Sequence, residues 1–159
     1  MRIRFGLGRF AAVAMALLVA ACAGGGGSGD GSSLFSLRPG SSAATRYLVE
    51  EVGDRAFFAT DQATLDGQAR GVLLRQAAWL DQNGGISLTL EGHADERGTR
   101  EYNLALGSRR AHAVRDFLIS QGVDAGRLYV ISYGKERPVS LCPEEACWSK
   151  NRRVVAVIR

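Results

Sequence analysis

The chain has 159 residues, of which 46% are hydrophobic and 23% are charged, and its formal net charge is +4. This length fits one domain with its own core plus short flanking segments. Residues 1–21 contain three arginines and no acidic residue, so the net charge without them is only +1. The arginine pairs at 109–110 and 152–153 lack interleaved aromatic residues. Composition and charge therefore exclude nucleic acid as an expected partner.

Residues 1–21 have the pattern of an export signal. A positive start leads to the apolar run FAAVAMALLVA at 10–20, which is short for a membrane-spanning helix, and small residues then precede Cys22. The ending LVAAC resembles the lipobox of bacterial lipoproteins, whose cysteine is acylated and becomes the first residue after cleavage. An uncleaved anchor is the alternative. Because Ala23 rather than aspartate follows the cysteine, the resemblance implies sorting to the outer membrane.

Residues 22–45 are predicted to be a lipidated cysteine followed by a flexible tether. The stretch AGGGGSGDGSS is low-complexity Gly/Ser sequence with nothing to bury. Such a tether would let a membrane-anchored domain reach a separate target, although a spacer of unselected length is the alternative. Residues 46–159 then have the composition of one compact globular domain.

Strands alternate with helices in this domain. Four segments have strand patterns, at 55–59, 86–94, 128–134 and 152–159. Two segments have helical patterns: residues 64–82, which end before NGG, and a longer helix that Thr99 can cap and that ends at Gly122. A helical turn at 144–150 is only weakly indicated. The alternation predicts an α/β fold in which helices pack on a sheet.

The remaining cysteines, Cys142 and Cys147, lie in LCPEEACW. An exported chain meets an oxidising periplasm, which favours a disulfide between them. The competing hypothesis is a zinc site. It would need two more ligands, and neither His93 nor His112 is near in sequence.

Arg110 falls midway between Leu106 and Val114 on the apolar stripe of the second predicted helix. It must be paired or reach a polar cavity, because an unpaired buried charge is costly. Asp95 follows the second predicted strand, at the edge where α/β folds commonly bind ligands. The two side chains could line opposite walls of a pocket suited to a zwitterion, or could form a structural ion pair. The sequence leaves both open.

Glu91, His93 and Asp95 form an alternative cluster that suggests a metal-dependent or acid–base hydrolase. Residues two apart in a strand share a face. Three ligands from one strand nevertheless make a poor metal site when the only other histidine is His112, and no nucleophile elbow or paired catalytic cysteine and histidine appears. We therefore expect no enzymatic activity, no metal and no cofactor.

The motifs EGHADERGTREYNLALGSRRAHAVRDFL, ISYGKERP and NRRVVAV resemble the OmpA-like C-terminal domain family, and within it the peptidoglycan-associated lipoproteins of the Tol-Pal system. With the lipobox and tether, the resemblance covers essentially the whole chain. It implies helices packed on a mixed sheet of about four strands, and noncovalent binding to the diaminopimelate of the peptidoglycan stem peptide. It also implies action with TolB and other Tol-Pal components to couple the outer membrane to the wall during envelope constriction and cell division. A generic wall anchor without a Tol partner is the alternative.

The resemblance assigns ligand recognition to Asp95 and Arg110. Asp95 would accept from the ammonium at the far end of diaminopimelate, and Arg110 would donate a forked pair to its carboxylate. Lysine at that place would offer no carboxylate. Many members of the family have FDFD where this chain has FATD, so Asp61 is expected either at the ligand or as the cap of the first helix. Other residues that match the motif would shape the pocket, or would cap or pack: Arg97, Thr99, Asn103 and Leu106.

Overall fold

The computed structural model describes residues 41–159; the expected signal segment, Cys22 and most of the expected tether lie outside this range. Within it the chain forms four α-helices and four β-strands. In chain order these are α1 Ser42–Tyr47, a π-helical turn Leu48–Val52, β1 Arg55–Phe57, α2 Gly67–Gln82, β2 Leu88–His93, α3 Arg100–Ser120, a 3₁₀ turn Ala125–Arg127, β3 Leu128–Gly134, α4 Glu145–Asn151 and β4 Arg153–Ile158.

All four predicted strands and both predicted helices are present. The first predicted helix begins at Gly67 rather than Thr64, because Asp66 caps it by accepting a 2.7 Å hydrogen bond from the backbone N–H of Ala69. Thr99 caps α3 as predicted, and Gly122 with its positive φ of 96° follows the end of that helix. The weakly indicated turn at 144–150 is the short helix α4.

Helix α1 includes the last residues of the segment 22–45 that the sequence predicts to be a tether. The side chain of Ser41 caps this helix by accepting from the N–H of Ala44 at 3.1 Å. Ala44, Leu48 and Val52 are spaced four apart along the chain and are all buried in the core. Residues from Ser41 onward are therefore part of the packed domain, and residues 22–40 of the predicted tether lie outside the described range.

The four strands form one mixed sheet in the order β1-β4-β2-β3. Strand β4 is antiparallel to both of its neighbours, and β2 is parallel to β3. In this register Leu90 lies beside both Ala156 of β4 and Val130 of β3. The sheet confirms the expected fold, a mixed sheet of about four strands with helices packed on it.

Helices α2 and α3 pack on one face of the sheet and form the core with it. Leu73 and Leu80 of α2, and Val114 and Leu118 of α3, are buried together with Leu88 and Leu90 of β2. Side chains that alternate with these point to the other face. Phe57 and Tyr129 there are 46% and 42% exposed, so the described domain has two layers.

The backbones of β2 and α3 meet at two glycines. A Cβ atom on Gly92 would overlap the carbonyl oxygen of Gly107, and one on Gly107 would lie 2.9 Å from the carbonyl oxygen of Gly92. Only glycine at both positions lets the helix approach the strand so closely. This contact sets the position of the segment between β2 and α3, which contains the candidate site.

A disulfide joins Cys142 and Cys147, the pair expected from the sequence, with their Cα atoms 5.6 Å apart. The same segment is held by Asn151, whose side-chain oxygen accepts from the N–H groups of Val139 and Ser140 at 2.8 and 3.2 Å. The disulfide and Asn151 together attach the chain before α4 to that helix. Separately, none of the helices in residues 41–159 combines the length and apolar character that a membrane crossing requires.

Candidate functional site

A cavity of about 280 Å³ lies where the chain passes from β2 to α3. Its walls come from the segment after β1, the segment after β2 and the first turns of α3. The lining residues are Thr60, Asp61, Asp95, Arg97, Gly98, Tyr102, Asn103 and Leu106. Five of the residues singled out in the sequence are among them: Asp61, Asp95, Arg97, Asn103 and Leu106.

Only 7% of the surface of Asp95 is exposed, and two arginines contact its carboxylate. Arg97 donates to it from the backbone N–H (3.2 Å to Oδ1), from Nε (3.2 Å to Oδ1) and from Nη2 (2.7 Å to Oδ2). Arg152 adds Nη1 at 3.3 Å from Oδ2. Burial by itself would raise the pKa of Asp95, but these hydrogen bonds outweigh it and lower the pKa. The carboxylate is therefore ionised at neutral pH.

Arg110 is fully buried, and its acceptors are backbone carbonyls. Nε donates to Gln62 O at 2.7 Å, Nη1 to His93 O at 2.9 Å, and Nη2 to Ala59 O at 3.1 Å. Burial lowers the pKa of this guanidinium to about 10, helped by the positive charge of Arg152, so it still carries its proton at neutral pH. Arg110 thus holds the segment after β1 against the end of β2.

This arrangement corrects two expectations for the Asp95 and Arg110 pair. The structural ion pair is not formed, because Asp95 is bonded to Arg97 and Arg152 while Arg110 is bonded to three carbonyls. Arg110 also does not line the opposite wall of the cavity. It lies behind the cavity wall. The segment after β1, which contains Ala59 and Gln62, is bonded to the Arg110 guanidinium and covers it.

The secondary residues divide into capping and lining roles. Thr99 caps α3 by accepting from the N–H of Tyr102 at 3.2 Å and does not line the cavity. Asn103 is buried and donates to the carbonyls of Arg97 (2.8 Å) and Thr99 (3.1 Å), which fixes the turn before the helix. Asp61 does not cap α2, a role that Asp66 takes. Asp61 has a positive φ of 58° and accepts a hydrogen bond from the Tyr102 hydroxyl, so it closes one side of the cavity.

Arg152 and α4 also contribute to the site, which the sequence alone did not indicate. The Arg152 side chain donates to Phe58 O at 3.0 Å and forms an ion pair with Glu145 of α4 in addition to its contact with Asp95. Trp148 of the same helix donates from Nε1 to Glu96 at 3.0 Å, and the Arg97 guanidinium lies 4.2 Å from the centre of its indole ring. Arg152 belongs to the quoted motif NRRVVAV, but strand alternation alone does not indicate its partners.

Asp95 is not brought together with Glu91 and His93, although His93 Nε2 lies 3.9 Å from Glu91 Oε2. The Asp95 carboxylate points to Arg97 and Arg152, whereas the buried His93 ring packs 5.7 Å from the ring of Tyr133. Burial lowers the pKa of His93 to about 4, and the charges of Arg153 and Arg137 act in the same direction. Among residues 41–159, no three His, Cys, Asp or Glu side chains are arranged to hold a metal ion.

The chain is similar to proteins of one family. The OmpA family model matches residues 57–152. The peptidoglycan-associated lipoprotein of Agrobacterium fabrum is 55% identical over 123 residues, which are 77% of this chain and 68% of that protein. The protein of the same name from Mesorhizobium japonicum is 54% identical, with 75% of this chain and 73% of that protein covered.

The fold of the described domain is similar to that of solved structures. The crystal structure of the peptidoglycan-associated lipoprotein from Burkholderia pseudomallei has a TM-score of 0.65 and 39% identity, and the match covers 67% of this chain and 90% of that one. The C-terminal domain of MotB from Helicobacter pylori has a TM-score of 0.61 at 21% identity, with 65% of this chain and 81% of that one covered, a likeness of fold.

Proposed function

Because the chain belongs to the OmpA family, we propose that it is an outer-membrane lipoprotein whose domain binds peptidoglycan noncovalently through the diaminopimelate of the stem peptide. The names of the relatives support wall binding, since they are called peptidoglycan-associated lipoproteins. The observation that carries the proposal is the cavity between β2 and α3, with the ionised carboxylate of Asp95 on its wall and the guanidinium of Arg110 directly behind it.

The charges around the cavity suit a zwitterion. Asp95 offers an anion to the ligand ammonium. Among the described residues Arg110 has acceptors for three of its N–H groups, and a guanidinium has five, so two donors remain for the ligand carboxylate. For the ligand to reach those donors, the segment containing Ala59 and Gln62 would have to move outward. Its lining residue Asp61 is in the left-handed region, a conformation common at ligand clamps.

We propose that binding takes place without catalysis. The position of Glu91 and His93 supports this, because their side chains lie 3.9 Å apart but neither lines the cavity. Lipidation of Cys22 and sorting to the periplasmic face of the outer membrane complete the proposal. Their support is the LVAAC ending, Ala23 after it, and the word lipoprotein in the names of the relatives. Residues between Cys22 and Ser41 would then be the tether.

The finer part of the proposal is action with TolB in the Tol-Pal system, coupling the outer membrane to the wall during envelope constriction and cell division. Its support is the motif resemblance to the lipoproteins of that system. Retention of purified TolB by the immobilised chain, with a mature chain lacking residues 41–159 as the control, tests this part. A chain that binds wall but does not retain TolB would instead be a generic wall anchor.

Cosedimentation with purified sacculi tests the proposed wall binding. The mature chain, residues 22–159 with Cys22→Ser to prevent lipidation, is compared on diaminopimelate-type and lysine-type sacculi. Asp95→Asn should lose binding to diaminopimelate-type sacculi, while Asp116→Asn, on the exposed side of α3, should retain it. Thermal melts establish that each variant is folded. Binding by folded Asp95→Asn at the wild-type level, or release of soluble muropeptides, would contradict the proposal.

A further inference from the structure

The carboxylate of Asp95 already holds a cation from its own chain. Arg97 binds both oxygens, with Nε at 3.2 Å from Oδ1 and Nη2 at 2.7 Å from Oδ2. This two-point geometry is the one in which guanidinium and carboxylate pair most strongly. An incoming ammonium therefore finds its acceptor occupied, and it must displace Arg97 to bind there.

The two cations at Asp95 are not equally replaceable. The Arg152 side chain is only 5% exposed and is also bonded to Phe58 O and to Glu145. The Arg97 side chain is 40% exposed, and its other contacts are a 3.4 Å hydrogen bond to Thr60 Oγ1 and the face of the Trp148 ring. Arg152 is thus a fixed partner of Asp95, whereas Arg97 can leave while its guanidinium stays over the indole.

The nearby carboxylates are committed to other partners. Glu96 accepts from Trp148 Nε1, and Glu145 pairs with Arg152. Asp61, on the same cavity, accepts from the Tyr102 hydroxyl. A displaced Arg97 would therefore lose its anion unless the ligand brought one. A ligand with only an ammonium replaces Arg97 at Asp95 and leaves the displaced Arg97 without an anionic partner. A ligand with a neighbouring carboxylate supplies the missing anion, so both pairs are formed again.

We propose that Arg97 determines specificity in this site by exchanging partners: the ligand ammonium takes its place on Asp95, and the released guanidinium pairs with the ligand carboxylate. That carboxylate has acceptor sites for Arg97 and Arg110 together. This inference rests on the proposed wall binding and deepens it. Arg97 makes the site prefer an ammonium and carboxylate on one carbon, as at the far end of diaminopimelate. The single ammonium of lysine cannot complete the exchange.

Calorimetric titration with two defined peptides tests the exchange. The probes are L-Ala-D-Glu-meso-diaminopimelate and L-Ala-D-Glu-L-Lys, titrated into residues 22–159 with Cys22→Ser. In the wild type the diaminopimelate peptide should bind more tightly. Arg97→Met keeps an unbranched side chain next to Trp148 but removes the guanidinium that lies over its ring. The ratio of the two dissociation constants should fall roughly fivefold to tenfold, since a charge-assisted pair is lost for one ligand only.

Two further variants keep the result interpretable. Arg100→Met removes a nearby exposed arginine that pairs with Glu136, and it should leave the ratio unchanged. Arg97→Lys keeps the charge and should keep part of the preference. An unchanged ratio in Arg97→Met, or an equal fall in Arg100→Met, would overturn the exchange while wall binding stands. A wild type that binds neither peptide nor sacculi would instead overturn the proposed function, and the exchange with it.

Discussion

Gly92 and Gly107 touch across the interface of β2 and α3 with no side chain between them, and each lies three positions before a charged residue of the site. Asp95 follows the first glycine and Arg110 follows the second. The contact therefore sets the spacing between the ionised carboxylate and the buried guanidinium. The shape of the cavity depends on this backbone contact as well as on the side chains that line it.

Gly92→Ala should strongly destabilise the domain. The added Cβ would overlap the carbonyl oxygen of Gly107, a backbone atom that cannot rotate away, so α3 would have to move off the sheet. We expect the free energy of unfolding to fall by about 3 kcal/mol. Urea unfolding followed by circular dichroism measures the change.

Gly71→Ala is the matched control for this change. Gly71 lies inside α2, and nothing is within 4 Å of its added Cβ. The same substitution there should stabilise the domain by about 0.5–1 kcal/mol, because alanine is the better helix former. Equal effects at the two positions would show that the Gly92–Gly107 contact does not limit packing.

Arg110→Met should destabilise the fold, not only the site. Methionine fills much of the space but leaves the carbonyls of Ala59, Gln62 and His93 without their donor. A loss of roughly 3 kcal/mol or more in the free energy of unfolding is expected. Thermal unfolding checks it, with Arg109→Met on the exposed side of α3 as a control expected to change stability by less than about 0.5 kcal/mol. A melt of Arg110→Met equal to that of the control would mean that the three hydrogen bonds contribute little.

His93 should make the domain less stable between neutral and mildly acidic pH. In the unfolded chain His93 takes up a proton below its ordinary pKa of 6.5, whereas burial keeps the folded ring neutral down to about pH 4. The contribution of neutral His93 to the free energy of unfolding is therefore fully present above pH 6.5 and is lost as the pH falls from 6.5 to about 4. Below pH 4 it no longer changes with pH. The total loss is on the order of 3 kcal/mol.

His93→Phe tests this pH dependence, because phenylalanine can still pack against Tyr133 but has no proton to take up. Urea unfolding at pH 7, 5.5 and 4.5 should show that the stability difference between wild type and variant changes in favour of the variant as the pH falls. His112→Gln, at an exposed position of α3, should follow the wild type. Parallel curves for wild type and His93→Phe would contradict the expectation.

Removal of the disulfide should cost a moderate amount of stability. The bond joins residues only five apart, so the loop it closes in the unfolded chain is short. The entropy model gives about 2 kcal/mol for a loop of this size. Replacing Cys142 and Cys147 by serine should lower the free energy of unfolding by that amount, and the wild type in reductant should match the double variant. A wild type unaffected by reductant while the variant is destabilised would point to lost packing at Cys147 instead.

The strands and long helices could be predicted because their signals are local. Leu88 and Leu90 alternate with polar residues, and Thr99 and Gly122 mark the limits of α3. Helix α1 was missed because Ala44, Leu48 and Val52 form a stripe that is too short to stand out next to a Gly/Ser-rich segment. Its burial depends on core contacts that no local pattern contains.

Individual residues of the site could be predicted from the sequence, but their hydrogen-bond and ion-pair partners could not. Asp95 was found from its place after β2, and the isolated charge of Arg110 showed that it needed partners. Which partners it has depends on a turn that directs the carbonyls of Ala59 and Gln62 inward. Likewise, Arg152 reaches Asp95 from a position 57 residues away in sequence. Such partners follow from the tertiary fold rather than from residue spacing.

Helix α1 has a mechanical consequence for the proposed tethered arrangement. Among the described residues, a pull from the amino-terminal side loads α1 and the following turn before it reaches the sheet. This segment is attached by three buried side chains and by hydrogen bonds such as Gln76 Nε2 to Gly53 O at 2.7 Å. Unwinding it would lengthen the linkage by roughly 20 Å. The segment would act as an extensible joint that yields first, visible as a separate first step in single-molecule pulling, while the ligand cavity keeps its shape.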